Sequence, residues 1–254
     1  SRIVGDVLYT VSQRYPWYGY EGSSDNEDKT TIVSINIANT QDIRVVDTAD
    51  FPRNGWEHHL NVTSNAIYVA ASGYRQVDNA GWDWRQFTTI TYVDISDPQG
   101  DIRVRDNIEV QGRVPDRWAM DEFNGVLRVA SGQGWGNGDV YLNTVDVQNP
   151  DVLRHLGTYT LRVNEQLTAA RFDGVRGYLV SYRNIDPLFT FDLSNPASPA
   201  LLSELEMTGW LDFVVPMGDR LVALGVDRLQ GFAIGRPVSA DMCTRLVAER
   251  GRVA

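Results

Sequence analysis

The chain has 254 residues, 23 basic and 33 acidic side chains, and a net charge of −10. That balance, with Lys29 the only lysine, leaves no basic footprint for nucleic acid or an anionic membrane, and no run reaches the ~20 apolar residues of a membrane helix. Cys243 is the single cysteine, which excludes an internal disulfide framework and a cysteine zinc cluster.

Taken in chain order, a turn followed by an apolar strand recurs five times. Val7–Val11 follows Gly5-Asp6, and Ala66–Ala70 follows Ser64-Asn65. Val126–Ala130 follows Asn124-Gly125, Tyr178–Ser181 follows Val175-Arg176-Gly177, and Arg220–Leu224 follows Gly218-Asp219. The steps from Leu8 to Ile67, Leu127, Leu179 and Leu221 are 59, 60, 52 and 42 residues. Self-similarity at such a period marks a repeat architecture.

A second strand follows each of the first four copies: Ile32–Ile37, Ile90–Ile95, Leu142–Val147 and Leu188–Leu193. Each holds Asp or Asn at the same place, then an apolar residue and a polar turn. Three of those turns carry Pro98, Pro150 and Pro196, which end a strand by removing a ladder donor. One further strand precedes each turn: Glu57–Val62, Arg117–Asp121, Leu167–Phe172 and Leu211–Val215. Another follows the proline turn: Ile43–Val46, Ile102–Arg105, Val152–Leu156 and Leu201–Leu205.

Four antiparallel strands per repeat, lettered A (innermost) to D (outermost), make a blade. A β-sandwich also has short strands and turns, but not the same four-strand pattern in one order four times; a solenoid needs shorter repeats. The expected fold is all-β, a β-propeller of four-stranded antiparallel blades with about five repeats visible, residues 1–254 forming one propeller domain or part of a longer one. The tail Ser239–Gly251 fits a short helix capped by Ser239 or a strand of a next blade.

The motifs Arg117–Phe123, Leu127–Ala130, Ala170–Phe172, Tyr178–Arg183 and Asp186–Phe189 occur in this order. Together they resemble the secreted bacterial and archaeal proteins that carry a C-terminal β-propeller domain. The resemblance covers about Arg113 to Leu224 and departs from the pattern after Asp227. It implies an extracytoplasmic propeller, secreted, periplasmic or at the cell surface, and offers no catalytic residues to carry over. The first residues, Ser1-Arg2-Ile3-Val4, are not a signal peptide, consistent with a mature chain whose leader has been removed.

Function is expected on the B–C connections, read as long in the first three repeats: Gln13–Lys29, Gly73–Gln86 and Gly132–Asp139. Against the short Arg183–Pro187 connection these read as insertions, and long loops on a rigid scaffold are where binding lives. They would emerge on one face, beside the D–A connections. The candidate binding residues are Trp17, Tyr18, Tyr74, Trp82, Asp83, Trp84, Trp135 and Asn137, with Trp56 and Trp210 from the D–A connections. Trp118 is placed outside this face. Aromatics flanked by carboxylates suit a protein or cell-surface glycan partner; packing among the loop aromatics themselves is the competing reading. Further chain segments completing the propeller are a second class of partner.

Asp25, Glu27 and Asp28 offer oxygen ligands for calcium, though without the spacing of a dedicated calcium loop; no other cofactor is expected. His58 and His59 are adjacent on a strand and so point to opposite faces. No catalytic motif is present: the glycines 132, 134, 136 and 138 open no helix and form no phosphate cradle. The alternative function is a glycan-active hydrolase or lyase, with carboxylates such as Asp116, Asp121 and Glu122, or Asp83 with Asp212, in a central channel. Asn61-Val62-Thr63 matches a glycosylation acceptor but lies in a predicted inner strand.

Overall fold

The computed structural model describes residues 1–13, 29–52, 55, 57–76, 84–133, 138–182, 187–206, 213–217, 220–224, 228–231 and 235–239. The chain divides into two compact units, residues 1–113 with 146–154 and residues 114–145 with 155–254.

The first unit holds two four-stranded sheets in sequence order. One consists of β1 (Arg2–Val4), β2 (Val7–Gln13), β3 (Lys29–Asn36) and β4 (Arg44–Pro52). The other consists of β5 (Glu57–Val62), β6 (Ala66–Gln76), β7 (Trp84–Asp94) and β8 (Arg103–Gln111). Every pairing in both is antiparallel. The inner strand β1 is one that the repeat pattern did not assign. Val7, Tyr9, Ile32, Ile67, Val69, Val93, Ile95 and Ile102 form the shared core of these sheets.

The second unit holds a seven-stranded sheet. Its strands are β9 (Met120–Phe123), β10 (Val126–Gly132), β11 (Gly138–Asp146), β12 (Arg154–Asp173), β13 (Arg176–Tyr182), β14 (Leu188–Asp192) and β15 (Ala200–Leu205). Two hairpins follow, β16 (Phe213–Met217) with β17 (Arg220–Leu224) and β18 (Arg228–Gly231) with β19 (Gly235–Ser239). The residues after Ser239, including the expected helix or strand of the tail, lie outside the described residues.

The sequence pattern splits residues 152–172 into an outer and an inner strand; the structure joins them in β12, which runs for 20 residues. No proline or tight turn interrupts it, and Asn164 takes a left-handed φ of 53° partway along. Asparagine tolerates that conformation better than most residues, so the chain bends without leaving the ladder. The predicted inner strand at Arg117 also starts later. Residues Arg117–Ala119 form a 3₁₀ turn capped by Asp116, whose carboxylate accepts the N–H groups of Trp118 and Ala119 at 2.7 and 3.0 Å.

The polar turns between the third and fourth strands are built alike in four repeats. Asn36, Asp94, Asp146 and Asp192 each accept the N–H two residues on, at 2.9–3.0 Å. Asn39, Asp97, Asn149 and Asn195 then do the same, at 2.7–3.2 Å. These paired Asx turns satisfy backbone donors as the ladder ends. They fix where every outer strand begins.

Three of these four turns are latched to the preceding repeat. Asp47, the fourth residue of β4, accepts the Ile102 N–H at 2.8 Å. Asp106, the fourth residue of β8, accepts the Leu153 N–H at 2.9 Å. Arg105 adds an ionic tie, bonding Asp94 of its own repeat at 2.8 Å and Asp151 of the next turn at 3.0 Å. In the second unit the equivalent outer-strand residue is Gly157 and the turn ends in Pro199, which has no N–H to donate. There Thr144 donates its hydroxyl to the Pro196 carbonyl at 2.5 Å.

Candidate functional site

The connection expected to be longest, between β2 and β3, covers residues 14–28 and lies outside the described residues, with its Trp17, Tyr18, Asp25, Glu27 and Asp28. Trp56, Trp82, Asp83, Trp135, Asn137, Trp210 and Asp212 also lie outside them. Among the described residues no group of three or more His, Cys, Asp or Glu is placed to hold a metal ion.

The second connection is not the insertion that the sequence suggested. Strands β6 and β7 each run for 11 residues, against seven in β10 and β13. The ladder continues through Gly73↔Phe87, Tyr74↔Gln86 and Arg75↔Arg85 to Gln76↔Trp84. Tyr74 and Trp84 are therefore strand residues, and only residues 77–83 remain between the strands. The third connection is shorter still, residues 133–137, the same length as the 183–187 connection taken as minimal. The ladder extends because β8 supports it. Ser72 and Thr88 exchange a hydroxyl hydrogen bond at 2.8 Å, and Thr88 donates to the Gly112 carbonyl at 2.8 Å. Gly112 in turn donates its N–H to Gln86 at 2.8 Å.

Arg75 stiffens the outer half of this hairpin. Its guanidinium lies 4.1 Å from the Phe87 ring centroid and meets both Glu109 carboxylate oxygens, at 3.0 and 2.8 Å. The exposed ion pair contributes little by itself; its forked geometry and the stacking hold the strand direction. Tyr74, 41% exposed, is presented on this rigid ribbon.

In the second unit, Trp118 is 43% exposed on the capped turn. The Arg117 and Arg171 guanidiniums lie 4.4 and 5.0 Å from its ring. Arg171 is buried, which pushes its pKa down, with the Asp116 charge opposing that shift. The sequence reading placed Trp118 on a strand and left it out of the binding set. The structure puts it in the connection between β8 and β9. The signal that was present is Asp116, a residue that caps turns, directly before the Arg-Trp pair.

Two of the carboxylates proposed for glycan chemistry, Asp116 and Asp121, serve the fold. Asp121 on β9 is paired with the buried guanidinium of Arg128, which also donates to the Gly174 carbonyl. Arg128 is held 5.1 Å from the Phe123 ring and 5.0 Å from the Phe172 ring, and burial pushes its pKa down to about 10. Asp116 is committed to the turn it caps. Glu57 accepts from Arg113 and lies 3.2 Å from His59 Nε2. The Arg113 hydrogen bonds hold its carboxyl below the usual glutamate range.

The family model described as Beta propeller domain matches residues 18–232. An uncharacterized protein of Archaeoglobus fulgidus is 35% identical over 122 residues, which are 48% of this chain and 19% of that protein. An uncharacterized protein of Methanocaldococcus jannaschii is 38% identical over 122 residues, 47% of this chain and 20% of that protein. The matched stretch thus spans about one fifth of the length of these curated relatives.

Proposed function

Since the chain belongs to the beta propeller domain family, whose model spans residues 18–232, we propose that it is a non-enzymatic binding or scaffold module. In this reading it is extracytoplasmic, and it recognises a protein or a cell-surface glycan through the ends of its second and third strands. Its blades number about five here, and further segments complete the ring. The observation that carries the proposal is the extended β6–β7 hairpin. β6 runs four residues longer than its counterparts β10 and β13, and β7 two residues longer than β11; the hairpin is stiffened by Arg75, Phe87 and Glu109, and it leads to Trp82 and Asp83 at residues 77–83. A rigid ribbon that presents the exposed Tyr74 contributes contact area at low entropic cost. The employment of Asp116 and Asp121 in the fold supports binding over glycan hydrolysis.

A glycan array and affinity capture with the intact chain test this, beside the variants Tyr74→Ala, Trp82→Ala/Trp84→Ala and Trp118→Ala. Loss of a captured ligand in the hairpin variants at unchanged thermal stability is expected. A ligand retained by every folded variant would sink the reading.

A further inference from the structure

The latch described above has a counterpart without a holder. The residue just before each outer strand is Ile43, Ile102, Leu153 or Pro199 in the four repeats. Ile102 and Leu153 are 7% and 8% exposed, with their N–H groups taken by Asp47 and Asp106. Ile43 follows the same Asx turn, since Gln41 donates to Asn39 at 3.0 Å and Asp42 donates to the Asn39 carbonyl at 2.9 Å. Yet Ile43 is 58% exposed, and no described residue accepts its N–H. An isoleucine side chain is stabilised by burial, and a backbone N–H is satisfied in nearly every folded setting. The turn is built as a plug.

We propose that residues 39–43 form a docking surface for the outer strand of a further β-blade that precedes this one in the same polypeptide and carries aspartate at its fourth position. Three features point to that occupant. In each observed tie the holding residue belongs to the repeat before the turn it holds: Asp47 and Asp106 of the outer strands accept from Ile102 and Leu153, and Thr144 of β11 donates to the Pro196 carbonyl. The acceptor at an isoleucine or leucine N–H is a carboxylate both times; where the turn offers Pro199 instead, the outer strand has Gly157. Ile43 has an N–H and so calls for the aspartate form. The outer strand β15, at the edge of the seven-stranded sheet, has Ser203 in fourth place and offers no carboxylate there. This inference rests on the blade repeat and not on the ligand-binding face proposed above, so either stands if the other fails.

Amide hydrogen exchange tests it. In the 254-residue chain the Ile43 N–H is expected to exchange at least about 100-fold faster than those of Ile102 and Leu153, as an amide open to solvent does. Protection of Ile43 equal to that of Leu153 in the dilute chain overturns the proposal in favour of cover by the chain's own residues. Protection that grows with concentration overturns it in favour of a second copy. Asp106→Ala should raise Leu153 exchange by about tenfold, one lost hydrogen bond; unchanged exchange at Leu153 shows that the carboxylate does not read this N–H and sinks the latch chemistry. Finally, a tandem chain with residues 1–57 repeated ahead of Ser1 supplies a preceding strand with its own Asp47. There the second-copy Ile43 should become as protected as Ile102, and Asp47→Ala in the leading copy should undo this. With Ile102 and Leu153 still protected, an unprotected second-copy Ile43 overturns the proposal.

Discussion

The carboxylate of Asp106 accepts the backbone N–H of Leu153 at 2.9 Å, across 47 residues of sequence. The bond ties the outer strand of one repeat to the turn of the next, and Asp47 with Ile102 repeats it at 2.8 Å. A carboxylate is suited to the task because a charged acceptor makes a stronger bond to an N–H than a neutral one does. The variation in the second unit obeys the same logic. Pro199 cannot donate, so no acceptor is required, and Gly157 instead lets the Pro196 and Ala197 carbonyls approach the outer strand closely. Repeats joined by nearest-neighbour contacts draw much of their stability from such joints.

Asp47→Ala should lower the unfolding free energy by about 1.5–3 kcal/mol, the range for a hydrogen bond with a charged partner. Asp47→Asn keeps a carbonyl acceptor in place and should cost less than half as much. Urea denaturation of both variants checks the order.

At Gly157 the expected effect is steric. A Cβ there would lie 2.8 Å from both the Pro196 and Ala197 carbonyl oxygens. These are backbone atoms, so relief requires a shift of the turn. Gly157→Ala should destabilise by about 1–3 kcal/mol, as overpacking does, and should lower Tm in calorimetry. A neutral result would mean that the turn moves freely.

Arg128 is buried between two aromatic rings and paired with Asp121. Arg128→Ala removes the charge partner of Asp121 and the packing between Phe123 and Phe172, and should cost about 3–5 kcal/mol. Arg128→Met restores most of the volume and should recover a good part of that loss. Equal stability of the two variants in urea would assign the whole effect to the ion pair.

Acid should expose the contribution of Glu57. Arg113 holds its folded pKa below the ordinary value, so the stabilisation is complete above the unfolded glutamate pKa of about 4.3 and is lost as pH falls through the lower folded value. The stability difference between the wild type and Glu57→Gln should therefore be constant near neutrality and shrink below about pH 4.3. Urea midpoints measured from pH 7 to pH 3 would show it; a difference independent of pH contradicts the role of Arg113.

The candidate site was legible in part. Residue type drew attention to Tyr74 and Trp84, but length alone marked Gly73–Gln86 as an insertion. Its two ends, Gly73–Gln76 and Trp84–Gln86, are strand, because β7 pairs with β8 out to Phe87↔Gln111 and carries β6 with it. Trp118 was missed because a turn capped by Asp116 and an inner strand look alike over a few residues. The third connection was overestimated for the same reason: glycine-rich Gly132–Gly138 reads as loop, yet both end residues belong to strands.

What the sequence by itself determined is local. The repeat, the strand periodicity and the Asx turns at Asn36, Asp94, Asp146 and Asp192 are legible because donor and acceptor stand two residues apart. Only the tertiary structure decided that β12 runs unbroken past Asn164, that Arg128 reaches a carbonyl 46 residues away, and that Ile102 is covered where Ile43 is open. Those outcomes depend on which distant backbone groups come within hydrogen-bonding reach, and on which apolar side chains a neighbouring sheet removes from water.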